Sequence, residues 1–361
     1  MNIVDIEKQL TKLMEMYPLS SNIENCNNVV NYLKAFLDSY NLNTTIETYN
    51  NRKILYVSTQ PGKVQDILFS AHLDVVPIAK ENQHLAQVQD GILYGRGSTD
   101  CLGNVLAIVA TLIRCNNKYS CSAIFNTDEE IGGASVKYML TQGYKATKSV
   151  VVSDHFEKNK ITYREKGILN VTLRAKGNGG HAAALMNPND NTIDRVVTAY
   201  LKIREVWQNP KNHTVDWADS LNGTMMHGSD VVNQVPPIAE MVLNIRYTVP
   251  GSVPTIVEKL QNIVGNDIEI IAQDECSPVT TNIDDPEIKK FQQCYANVVN
   301  SEIGFAHMCG ATDARHYTAL NLPIMITGVE GNGPHSNNEF VKLDSILTFS
   351  EIYYQYVSNN K

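Results

Sequence analysis

The sequence has no pair of cysteines in CxxC spacing, and its seven cysteines (Cys26, Cys101, Cys115, Cys121, Cys276, Cys294 and Cys309) are odd in number. This argues against a disulfide framework and against a thiolate zinc site. Free thiols in a reducing compartment, the cytoplasm, are expected instead, and any metal would be held by oxygen and nitrogen. Long hydrophobic runs are also missing. The longest apolar stretch, near Val105 to Ile113, falls well short of the roughly 20 residues that span a bilayer, so no membrane partner is expected. Glu7 and Lys8 stand where the apolar core of a signal peptide would begin, and none is expected. Basic charge is in deficit: 30 Lys and Arg against 38 Asp and Glu give a net charge of −8. A nucleic-acid partner, which needs clustered Lys and Arg, is therefore not expected. There is no phosphate-cradling glycine loop ending in Lys, no internal repeat and no low-complexity tract.

What is present is an ample hydrophobic fraction, 43% of 361 residues, in a regular order. Two amphipathic helices open the chain, with Ile6, Leu10, Leu13 and Met14 and then Val29, Val30, Leu33, Phe36, Leu37 and Tyr40 at helical spacing. Strands (Ile54–Val57, Ile67–Ala71, Ala123–Asn126, Val150–Val152) then alternate with helices (Val105–Cys115, Val136–Gln142). Such alternation predicts an α/β domain, a mostly parallel sheet with helices on both faces. After about residue 163 the order becomes β-α-β-β-α-β, the pattern of a ferredoxin-like α+β unit. The earlier style then resumes. The expected organisation is one domain made of residues 1–163 and 276–361, interrupted by an inserted domain over 164–275.

The acids and histidines fall at strand ends. Ile67–Ala71 runs into His72 and Asp74, Ala123–Asn126 into Asp128, Glu129 and Glu130, Val150–Val152 into Asp154, and the strand 323–328 precedes His335. Open α/β sheets bind ligands beyond the carboxyl ends of their strands. One such residue alone is an ordinary cap or turn residue. Together they bring several carboxylates to one edge, where they repel one another unless a cation lies between them. Asp100 follows Gly95 and Gly97 and directly precedes the buried helix. Its position suits either a helix cap or a carboxylate that offers one oxygen to each of two cations.

The segments AHLDVVP, YGRGSTD, TDEEIGG, GNGGHAA, TDAR and PHSNNE resemble, in this order, the co-catalytic zinc family of aminoacylases, carboxypeptidases, dipeptidases and tripeptidases. That family includes acetylornithine deacetylase, succinyl-diaminopimelate desuccinylase and carnosinase. The resemblance implies a zinc-exopeptidase fold with the insert as a lid and dimerisation domain, and two Zn2+ per subunit, replaceable by Co2+ or Mn2+. His72, Asp100 and Asp154 would hold one metal; Asp100, Glu130 and His335 would hold the other. Asp74 would accept a hydrogen bond from the His72 ring, and Glu129 would be the general base. His181, in the insert, would reach a partner subunit's site in a homodimer and stabilise the oxyanion. Asn233 and Arg246 would hold substrate.

Two positions depart from the family pattern. Cys101-Leu102-Gly103 replaces the usual Met/Asp-Lys-Gly, and Asp154 stands where deacylases usually carry Glu. Asp is more typical there of dipeptidases and tripeptidases, so a hydrolase of short peptides is the leading expectation. A deacylase of N-acyl amino acids is the alternative.

Overall fold

The computed structural model describes residues 1–184, 187, 190–209, 211 and 217–360. The chain forms two compact units, one of Met1–Tyr163, Thr280–Ala306 and Thr312–Lys361, the other of Arg164–Val279 and His307–Ala311.

The first unit is built on a mixed sheet. Its centre is four parallel strands in the spatial order Cys121–Asn126, Val64–His72, Lys145–Ser153 and Ile324–Thr327. Cys121–Asn126 and Ile324–Thr327 are buried at every position, as strands covered on both faces must be. The flanking strands Arg52–Ser58 and Lys160–Glu165 pair antiparallel. The sheet is thus parallel at its centre, as the alternation predicts, and antiparallel at its margins. Register fixes what happens at its end. His72 pairs with Asn126, and Thr327 with Ser153, so the central strands finish at one level and release their following residues along one edge.

The helix Gly103–Cys115 is mostly apolar and almost wholly buried. It packs against the C-terminal helix Leu343–Ser358, and Thr111 Oγ1 donates to the Ser350 carbonyl at 3.2 Å. Among the described residues, Ser98–Cys115 is the one segment long and apolar enough to cross a membrane; most of it is buried inside the protein. A small sheet of Gln87–Gln89, Ile92–Tyr94, Gly331–Asn332 and Phe340–Lys342 lies outside the expected elements. Strands of two or three residues are too short to show an alternating pattern. It joins the Gly95–Asp100 loop to the segment carrying His335.

The second unit is a four-stranded antiparallel sheet in the order Ser220–His227, Ile238–Tyr247, Gly167–Lys176 and Glu269–Cys276. Helices Thr192–Val206 and Val253–Val264 cover its apolar face, where Leu169, Val171, Leu173, Val196, Ile203, Leu243, Ile245 and Leu260 form the core. This is the ferredoxin-like arrangement. The side chain of Asn191 caps the first of these helices by accepting from the amide of Ile193 at 3.0 Å.

Candidate metal centre

His72 ends its strand with 1% of its surface exposed. Its Nδ1 lies 2.9 Å from the backbone carbonyl oxygen of Asp74 and 3.5 Å from that residue's carboxylate. A carbonyl can only accept, so Nδ1 carries the proton and Nε2 faces the site. There Nε2 stands 2.9 Å from Asp100 Oδ1 and 3.3 Å from Asp154 Oδ1. The amide of Asp154 donates to the Thr327 carbonyl at 2.8 Å, tying it to the neighbouring strand end.

Asp74 meets the His72 ring through its backbone carbonyl, and its wholly buried carboxylate has a further task. Its oxygens accept from the amides of Glu129 and Glu130 at 3.2 and 3.3 Å. It therefore anchors the short turn Glu129–Ile131, while the backbone of Asp74 orients the imidazole.

Asp100 presents one oxygen to each of two histidines. Oδ1 meets His72, and Oδ2 lies 3.2 Å from His335 Nε2. The same His335 atom is 3.1 Å from the Glu130 carboxylate. Partial burial opposes ionisation of Asp100, but hydrogen bonds from His335 and His72 hold it well below the ordinary carboxylate range. His335 is pushed up to about 10 by hydrogen bonds to Asp100 and Glu130. Burial works against a charged His72, yet the Asp154 and Asp100 carboxylates raise its pKa well above the ordinary value. The arrangement attracts positive charge at both imidazoles.

Cys101 also lies within ligand distance of His72 and Asp154. Burial raises its thiol far above the usual range, and Sγ donates to the Ser153 carbonyl at 3.0 Å. It is a protonated thiol turned to the sheet.

Glu129 stands beside this cluster, 3.7 Å from the Arg315 guanidinium. Burial first, then Asp313 and Asp154, raises its pKa well above the ordinary value. Burial likewise pushes Asp313 up to about 7; it accepts from Asn126 Nδ2 at 2.7 Å.

Residue-by-residue reading of the sequence missed three contributors. Arg96 and Glu339 form a buried ion pair at 2.6 Å. Glu339 Oε1 accepts from the amides of Thr99 and Asp100, each at 3.2 Å. Asn104 binds the Thr99 carbonyl through Nδ2 at 2.9 Å, while its Oδ1 accepts from Ser153 Oγ and the Val329 amide at 2.9 and 2.8 Å. The signal available was a polar residue at the head of an apolar helix, and opposite charges in two separate motifs.

The remaining expected residues lie in the second unit. His181 and Asn233 are neighbours there: Gly180–His181 pairs with Gln234–Val235, and the Ala182 amide donates to the Asn233 carbonyl at 2.9 Å. His181 is exposed, its Nδ1 accepting from the Ala183 amide at 3.2 Å. Arg246 sits on the strand Ile238–Tyr247, its Nε donating to Asn244 Oδ1 at 3.1 Å.

Known proteins resemble the chain along nearly its whole length. A family model described as peptidase family M20/M25/M40 matches residues 68–359. A probable succinyl-diaminopimelate desuccinylase of Staphylococcus epidermidis is 23% identical over 397 aligned positions, 98% of each chain. Among solved structures, a Staphylococcus aureus tripeptidase superposes with a TM-score of 0.78 at 15% identity, over 99% of this chain and 98% of its own. A metallo-carboxypeptidase of Sulfolobus solfataricus gives 0.76 at 17% identity, over 99% of both.

Proposed function

This chain belongs to peptidase family M20/M25/M40 and is a metal-dependent hydrolase acting on C–N bonds of peptides or acyl amino acids; we propose that it uses two zinc ions bridged by Asp100 to cleave short peptides. The observation that carries this is the facing of the two Asp100 oxygens toward His72 and His335, at 2.9 and 3.2 Å. His72, Asp100 and Asp154 would hold one ion; Asp100, Glu130 and His335 the other.

The residues fit such ions. Oxygen and imidazole nitrogen suit zinc, cobalt and manganese, and three carboxylates around two ring nitrogens need a cation to balance them. Bound zinc supplies a Lewis acid for the scissile carbonyl and lowers the pKa of water. Glu129, in this reading, takes the proton from that water and returns it to the leaving amine. A carboxyl of raised proton affinity suits a group that must both accept and release a proton. Arg315 sets a positive charge 3.7 Å from that carboxylate. Asp74 holds Glu129 and Glu130 in one turn, so base and ligand keep their spacing.

In the second unit, His181 would stabilise the oxyanion in the site of a partner subunit, and Asn233 and Arg246 would grip the substrate. Exposed Met225 and Met226 on the open edge strand Ser220–His227 support a homodimer formed through this unit. Mixing His181→Ala with Glu129→Ala protein tests it: activity regained in the mixture supports the shared site, and none regained contradicts it. The free thiols of Cys26, Cys101, Cys115, Cys121, Cys276 and Cys294 support work in the cytoplasm, which cell fractionation tests.

Asp154 in place of Glu favours peptides. The desuccinylase names of the curated relatives favour the second reading, deacylation of N-acyl amino acids. A panel of di- and tripeptides against N-acetyl and N-succinyl amino acids, on zinc-loaded protein, separates them. Turnover of acyl amino acids alone overturns the peptidase proposal.

A further inference from the structure

The two proposed cation positions are built from unequal parts. One rests on His72 and Asp154 at buried strand ends, with His72 exposed by 1% and its ring fixed by the Asp74 carbonyl. The other rests on Glu130, in a short turn, and on His335, whose side chain is 55% exposed. His335 also adopts a left-handed backbone, φ 61°, which an L-residue holds only when its surroundings impose it. Something must hold this second half in place.

The Arg96–Glu339 pair is placed to do so. Glu339 follows His335 by four residues and spends every acceptor it has on the Asp100 loop. Its backbone carbonyl accepts from the Gly95 amide at 2.9 Å. Its Oε1 accepts from Thr99 and Asp100, and its Oε2 binds Arg96. Arg96 donates further to the Pro77 carbonyl at 3.2 and 3.3 Å, three residues beyond Asp74. Gln83 closes the ring: its carbonyl accepts from the Arg96 amide at 2.8 Å, and its Nε2 donates to the Ser336 carbonyl at 2.6 Å. The Asp100 loop and the His335 segment are thereby one hydrogen-bonded body, with its charges buried and paired.

We infer that Arg96 and Glu339 are positioning residues that set the occupancy of the exposed cation position, the one shared by Asp100, Glu130 and His335, with little influence on the buried one. The inference rests on the two-metal proposal above. Loss of the clamp frees Asp100 and His335 to drift apart. Asp100 is common to both positions, but the buried one also keeps His72 and Asp154, which the clamp does not touch. Outer partners of metal ligands commonly change affinity about 10- to 100-fold.

The experiment titrates metal-free wild type, Glu339→Gln, Arg96→Met and Arg96→Lys with Zn2+ against a chromophoric chelator, and with Co2+ by absorption, alongside a thermal melt. Glu339→Gln keeps an oxygen for the two amides while removing the charge. In Glu339→Gln and Arg96→Met the second equivalent is expected to weaken about 10- to 100-fold and its cobalt absorption to shift, with the first equivalent unchanged. Arg96→Lys should recover part of the loss, and stands in for Arg96→Met if that variant does not fold. Unchanged affinity for both equivalents overturns the inference, as does parallel weakening of both with a fall in Tm, the mark of a merely structural pair. Asp100→Asn separates the two levels. Should it leave both equivalents intact, the two-metal proposal itself has failed; should it disturb both while Glu339→Gln disturbs neither, only the clamp has failed.

Discussion

The Nδ1 atom of His72 is fixed by the backbone carbonyl of Asp74, 2.9 Å away, rather than by its carboxylate. The tautomer of a key imidazole thus depends on main chain that no side-chain substitution removes. This frees the carboxylate to hold the amides of Glu129 and Glu130.

Asp74→Asn should therefore spare the histidine and damage the acid turn. An amide offers one oxygen and one NH2, so one of the two backbone donors would face another donor. Leaving it unpaired in the interior costs about 1–3 kcal/mol. We expect a loss of that size in denaturant unfolding and a large fall in kcat, because Glu129 and Glu130 lose their common anchor. Unaltered kcat would show that the turn holds without it.

Glu129→Ala should retain its metal and lose about 10²- to 10⁴-fold in turnover, the usual contribution of a general base. Metal analysis and kinetics on the same sample check this. Near-normal turnover would remove Glu129 from the chemistry.

Metal uptake should release protons. In the metal-free chain, hydrogen bonds to Asp100 and Glu130 raise His335 to about 10, so at pH 7 the ring is charged and must lose its proton to become a ligand. Affinity should accordingly rise with pH up to about 10 and weaken in acid. Calorimetry in buffers of different ionisation enthalpy should count about one proton for each histidine displaced. Chelators should inactivate the enzyme, and zinc, cobalt or manganese should restore it to differing degrees.

His316 should titrate abnormally low. Burial first, then Arg315, lowers it to about 4, while its Nε2 donates to the Gly132 carbonyl at 3.0 Å. Its folded pKa lies below the unfolded value of 6.5, so its neutral form is stable above pH 6.5 and the protein loses stability as pH falls from there toward 4. The full loss is about 3 kcal/mol at most. His316→Gln should show a shallower decline, and NMR of the wild-type ring should give a midpoint near 4. A midpoint near 6.5 would contradict this.

The parts of this site that were legible in the sequence are those where strand and ligand adjoin. His72, Asp74, Glu129, Glu130 and Asp154 follow directly on apolar strands, so local pattern and chemistry coincide. The ferredoxin-like order of the second unit was legible for the same reason, since each of its elements is long enough to show a period. Arg96 and Glu339 were not, because their partnership spans 243 residues and each looks like an ordinary surface charge. Asn104 was hidden at the start of an apolar helix, where its side chain ties three segments together. The backbone role of Asp74 could not be read from a residue type at all.

The central claim is that Asp100 joins two metal ions. Anomalous diffraction at the zinc edge, on crystals of the zinc-loaded protein, tests it most directly. The account expects two peaks per chain, one touching Asp100 Oδ1 with His72 and Asp154, the other touching Oδ2 with Glu130 and His335. A single peak, or two peaks of which only one contacts Asp100, would contradict it.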